Sequence, residues 1–91
     1  MTDPKSDLNM HKLDTSGLTC PLPVLRARKT LLGLSPGEVL EVRATDPAAV
    51  RDFPAFCESA GHTLIAAEER DGTFIFRIAR KQPSPGRSAS A

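Results

Sequence analysis

The residues best suited to chemistry sit in "SGLTCPLPVLRARK", where Cys20 stands between a glycine-bearing loop and two prolines. Helical periodicity begins directly after them. With Cys20 as N-cap of that helix, Pro21 occupies N1, Leu22 N2 and Pro23 N3. Proline suits N1, whose N–H has no intrahelical partner. Pro23 removes a further donor, and two fixed φ angles stiffen the turn that presents the sulfur. Cysteine caps helices less well than Ser, Thr, Asp or Asn, so stability does not select it here. A helix N-terminus favours the thiolate, and Arg28 and Lys29 add positive potential two turns further on. The expectation is an exposed thiol with a lowered pKa, suited to receiving sulfur and passing it on.

What the chain lacks narrows this further. Neither His11 nor His62 stands at a fixed offset from Cys20, and no Asn or Asp motif accompanies them as in a cysteine hydrolase. No Cys/His spacing fits a metal site, and no Gly-rich phosphate loop or other cofactor signature is present. Two cysteines in 91 residues are too few for a disulfide framework. The formal net charge of +1 does not suggest a surface dedicated to nucleic acid or membrane. No apolar run approaches the roughly 20 residues of a membrane span. The opening "MTDPKSDLNM" mixes charges without an apolar core segment, so no secretory signal is expected and the cytoplasm is the default.

The elements that must position the thiol follow from periodicity. Residues 1–9 and 82–91 are polar, rich in Pro, Ser and Asp, and are expected to be disordered tails around one domain over residues 10–81. A short strand is expected around His11 to Asp14. Val24, Leu25, Ala27, Leu31, Leu32 and Leu34 share one helical arc, and "SPG" at residues 35–37 ends that helix. "EVLEVRAT" alternates as a strand with Leu40, Val42 and Ala44 on one face. "DPAAVRDFPAFCESAG" reads as a second helix with Asp46 as N-cap, Pro47 at N1 and Gly61 as stop. Pro54 predicts a break or kink near residues 52–54. "HTLIAAEE" and "TFIFRIAR" are two strands joined by an Asp71-Gly72 hairpin turn. The order βαβαββ implies an α/β two-layer sandwich, a mixed four-stranded sheet with both helices on one face.

"LDTSGLTCPLPVLRARKTLLGLSPGEVLEVRATDPAAVRDFPAFC" resembles the TusA (SirA-like) family of small sulfur carriers, and the likeness continues to about Lys81. The hallmark is "CPxP" at the start of the first helix, here Cys20-Pro21-Leu22-Pro23, led in by "LDxxGLxCP" with Asp14 and Gly17. The resemblance implies a cytoplasmic sulfurtransferase that carries sulfur as a persulfide on Cys20 and is not a self-sufficient catalyst. It implies a cysteine desulfurase as donor and a downstream sulfur-relay protein as acceptor. The best-known end point is 2-thiolation of the tRNA wobble uridine. Other members serve sulfur oxidation, molybdenum cofactor supply or selenium metabolism. One departure stands out: Leu22 occupies a position where tRNA-thiolation members carry an acidic residue, which leaves the acceptor open. No cofactor, direct DNA contact or membrane attachment is expected, and the chain is expected to be a monomer.

Other residues carry weaker signals. Cys57 lies on the helical face of Val50 and Phe53, as a core residue would. Arg28 falls inside the apolar arc of the first helix, where it either snorkels past the core edge or contacts an acidic partner. Asp46 and Arg51 are a cap and an exposed helix charge that could also line a docking surface. Two rival functions remain. An RNA-binding module would use Arg26, Arg28, Lys29 and Arg51, but lacks aromatics spaced for base stacking. A redox regulator would pair Cys20 with Cys57, but has no CxxC.

Overall fold

Strand pairing brings together segments that are distant in the chain. The computed structural model describes residues 10–81, so the two expected tails lie outside the described residues. In chain order the elements are β1 (Met10–Thr15), α1 (Leu22–Leu32), β2 (Val39–Ala44), α2 (Ala49–Ala60), β3 (Thr63–Arg70) and β4 (Thr73–Ala79). The sheet order is β1-β2-β4-β3. β1 runs parallel to β2, and β4 is antiparallel to both β2 and β3. β3 is therefore parallel to β2, with β4 inserted between them. The expected βαβαββ mixed sheet is what forms.

Alternation on β2 decides which face is covered. Leu40, Val42 and Ala44 are fully buried and pack with Ala27 and Leu31 of α1 and Ala49, Phe53 and Cys57 of α2. Both helices thus cover the same face. Phe53 stacks on Phe76 of β4 with ring centroids 4.6 Å apart, joining the second helix to the centre of the sheet. On the opposite face Glu41 of β2 accepts a hydrogen bond from Arg77 of β4 at 3.1 Å, across the register pair Glu41–Arg77.

Turn chemistry is as expected at the hairpin, where Asp71 and Gly72 both take positive φ, 50° and 84°. Gly61 ends α2 in the left-handed region and its N–H bonds Cys57 O. Four details differ from expectation. The buried stripe of α1 is narrower than the sequence arc, since Leu25 and Leu32 are exposed, and the helix ends at Leu32 with Gly33 as its cap. Val50 of α2 is also exposed and leaves the buried face to Ala49, Phe53 and Cys57. α2 is continuous through Pro54. The carbonyl that Pro54 leaves without a partner is that of Val50, near the helix start, and both residues are exposed, so water can satisfy it.

Candidate functional site

The loop from β1 to α1 is built by short hydrogen bonds that fix where Cys20 stands. Asp14 closes it from the strand side: its Oδ1 accepts from Ser16 N–H at 2.9 Å and from Ser16 Oγ–H at 2.6 Å. These bonds hold the Asp14 carboxyl below its ordinary range. Gly17 turns the chain with φ 81°, and its N–H donates to Thr45 Oγ1 at 2.8 Å, just beyond β2. Thr45 went unremarked in the sequence. Its neighbour Asp46 does more, because one carboxylate oxygen accepts the Cys20 N–H and the other accepts the Ala48 N–H. One side chain thus caps the turn entering α2 and ties down the cysteine backbone. Asp46 is held below its ordinary range by these two bonds, that from Cys20 first.

The helix starts differ from expectation by small shifts. α1 begins at Leu22 with Pro21 as its N-cap and Pro23 at the second position, so Cys20 precedes the cap. The Cys20–Pro21 peptide is cis. Asp46 caps the α2 entry as anticipated, but residues 46–51 close through i→i+3 bonds from Ala49, Val50 and Arg51. The α-helix proper therefore starts at Ala49.

Cys20 is exposed and free, while Cys57 is buried and free. Burial pushes the Cys57 thiol up to about 11, which suits an inert core residue. For Cys20 the expected lowering is corrected: its pKa is raised. The chief cause is a hydrogen bond to the Asp52 side chain, followed by desolvation and by the charges of Asp52 and Asp46; Arg51 opposes them. The first turn offers few donors to oppose this, because Leu22 N–H is committed to Thr19 O at 2.8 Å and Pro21 and Pro23 have no N–H. Arg28 and Lys29 are absent from the groups that act on the sulfur, a second correction. The cation beside the thiol is Arg51.

Cys20, Pro21 and Val24 on one side and Asp52, Ala55 and Phe56 on the other line a groove of about 390 Å³ between the helices. Sequence reasoning missed Asp52. The spacing of Asp52, Phe56 and Ser59 at i, i+4 and i+7 was the available signal, since it puts the three on one helical face. Leu22 is exposed and turns to another depression with Leu25 and Leu13. Arg28 lies farther along α1, where it lines an adjoining stretch of the inter-helix surface with His62 and Lys81. The site therefore gathers Cys20, Pro21, Asp46, Arg51 and Asp52, and leaves Arg28 outside. No group of three or more His, Cys, Asp or Glu that could hold a metal is found among the described residues.

Comparison with known proteins gives the family and the fold. The family model described as "Sulfurtransferase TusA" matches residues 11–80. The sulfur carrier protein TusA of Allochromatium vinosum is 53% identical over 68 residues, 75% of this chain and 90% of that protein. The crystal structure of the SirA-like protein from Desulfitobacterium hafniense superposes with a TM-score of 0.70 at 27% identity, covering 80% of this chain and 99% of that one.

Proposed function

The chain belongs to the TusA sulfurtransferase family, and from that premise we propose that Cys20 is the residue on which it carries sulfur, as a persulfide. The observation that carries this reading is the contrast between the two thiols. Cys20 is exposed at the mouth of a groove with its amide anchored by Asp46, whereas Cys57 is sealed in the core.

Loading moves one sulfur atom without net redox change. The Cys20 sulfur attacks the outer sulfur of the donor's persulfide, the S–S bond of that persulfide breaks, and the donor leaves as a thiolate. The Cys20 thiol proton ends on the departing thiolate, so the donor is left as a neutral thiol and Cys20 as a neutral persulfide, whose outer sulfur keeps its own proton. Delivery repeats the exchange with an acceptor thiol attacking the outer sulfur now on Cys20. Asp14, Gly17, Pro21 and Pro23 shape the presenting loop. Asp46 and Arg51 border the approach to the sulfur and are proposed as partner contacts.

The family supports a cysteine desulfurase as donor and a relay protein as acceptor, in the cytoplasm, with 2-thiolation of the tRNA wobble uridine as end point. Sulfur oxidation, molybdenum cofactor supply or selenium metabolism is the alternative destination. Exposed Leu22, which replaces an acidic residue beside the thiol, keeps that alternative in play. The test is to incubate the protein with a cysteine desulfurase and free cysteine. It should gain the mass of one sulfur atom, reversibly with a thiol reductant. Cys20→Ser should abolish the adduct and Cys57→Ser should retain it. An adduct mapped to Cys57, or one surviving Cys20→Ser, would overturn the assignment.

A further inference from the structure

The inter-helix groove does not end at the thiol. The depression holding Cys20 and Asp52 and the one holding Arg28 and Lys81 share Phe56 and Ser59 in their walls. They form one track along both helices. On the α1 side Pro21, Val24, Arg28 and Leu32 follow a 3-4-4 spacing along one face. The floor is apolar and the two ends differ in charge. At the thiol end, the Asp52 carboxylate lines the groove with Cys20 and Asp46 holds the Cys20 N–H, with Arg51 the one opposing cation. At the far end Arg28, Arg80 and Lys81 gather. None of these three has a carboxylate within ion-pair distance among the described residues, where the ion pairs are His11–Glu38, Arg43–Glu41, Arg70–Glu68 and Arg77–Glu41. His62, between them and Phe56, adds no counter-charge. Its pKa is lowered by burial and then by Arg80 and Lys81, and its Nδ1 accepts the Lys81 N–H at 3.0 Å.

We propose that this track docks an extended segment of the sulfur-exchanging partner, with the partner's reactive cysteine at the Cys20 end and carboxylates over Arg28 and Lys81. The inference rests on the sulfur-carrier reading above and adds to it the chemistry of the recognised segment. Spacing follows from geometry. Pro21 to Arg28 is seven residues of helix, roughly 10 Å at 1.5 Å rise. An extended chain crosses that distance in about three to four residues at roughly 3.3 Å each. The carboxylates should therefore lie about three to five residues from the partner's cysteine. Acidic residues next to that cysteine are disfavoured, since Asp46 and Asp52 would repel them.

Two isomeric peptides, blocked at both ends and activated on cysteine as thionitrobenzoate disulfides, separate this from simple thiol exposure. One is Cys-Gly-Ser-Gly-Glu-Glu and the other Cys-Glu-Glu-Gly-Ser-Gly. In each reaction the Cys20 sulfur bonds to the peptide sulfur and the peptide–thionitrobenzoate bond breaks. Coloured thionitrobenzoate leaves with the electron pair and the thiol proton passes to buffer. At low salt the peptide with distant carboxylates should react roughly tenfold faster than its isomer. That advantage should vanish in the double variant Arg28→Glu, Lys81→Glu, whose substitutions are both at exposed positions. Equal rates for the two isomers, or an advantage that survives the charge reversal, would overturn the proposal. The readout needs only a free exposed thiol, so it is independent of whether a desulfurase loads Cys20.

Discussion

A thiol beside a helix N-terminus gains from the dipole only if nearby N–H groups are free to face it. Around Cys20 the Leu22 N–H is spent and Pro21 and Pro23 have none, and the Asp52 carboxylate is the largest influence on its protonation. The sign is that of an acid whose charged form is disfavoured: the thiol stays protonated to higher pH than an ordinary cysteine. Alkylation by iodoacetamide, followed against pH, should give a half-maximal rate above the ordinary value of 9.0. Asp52→Asn should move that midpoint down, and Arg51→Ala should move it up by removing the opposing charge. An unchanged midpoint in Asp52→Asn would remove the carboxylate from the account. Asp46 acts on position more than on protonation, since it holds the Cys20 N–H. Asp46→Ala should leave the sheet and helices intact by circular dichroism. It should slow sulfur transfer roughly tenfold, because a loosened thiol spends less time in attacking geometry. Undiminished transfer would show that the tether is dispensable.

Elements were legible wherever periodicity and turn residues agreed. β2, the Asp71-Gly72 hairpin and the Gly61 stop are where alternation and glycine chemistry put them. Three apolar residues depart from expectation for one reason. Sequence arcs treat every apolar residue as a core residue, yet a two-layer fold covers only one stripe of each helix, and Leu25, Leu32 and Val50 fall beside it. Pro54 does not break the helix because its lost hydrogen bond lies at an exposed end. Cys20 was legible as an exposed, stiffly presented thiol, whereas Asp52 beside it was not. Its meaning depends on α2 lying against α1, a tertiary fact that no local spacing states. Cys57 was correctly read as core, which has a measurable consequence for α2. Its folded pKa of about 11 exceeds the ordinary 9.0. The folded state therefore keeps a proton that the unfolded chain releases as pH rises. This contribution is whole below pH 9 and is lost as pH rises towards 11, by about 2–3 kcal/mol at roughly 1.4 kcal/mol per unit. Denaturant unfolding at pH 8 and pH 10.5 should show a smaller pH-dependent loss for Cys57→Ala than for the wild type, although the variant starts less stable. Equal losses would mean that Cys57 is not held neutral by the core.

At the scale of the whole molecule, charge and aromatic placement bear on whether the protein itself meets RNA. A fold of this size that grips single-stranded RNA needs a basic surface and exposed rings on which bases can stack. The net charge is +1 and the chain has four Phe residues and no Tyr or Trp. Phe53 and Phe76 are stacked in the core, while Phe56 and Phe74 pack against it. On the face away from the helices, Arg43 and Arg77 are both drawn to Glu41, which lowers the positive potential there. The basic end of the inter-helix groove is small and is flanked by the acidic thiol end. These features favour a carrier that hands sulfur to another protein over one that delivers it to RNA directly. Unmodified tRNA should therefore show no mobility shift with about 10 µM protein at physiological salt, a concentration at which a basic RNA-binding domain retains it. A complex that forms under those conditions, weakens steeply with salt and is unaffected by Cys20→Ser would make RNA binding a function of the molecule in its own right.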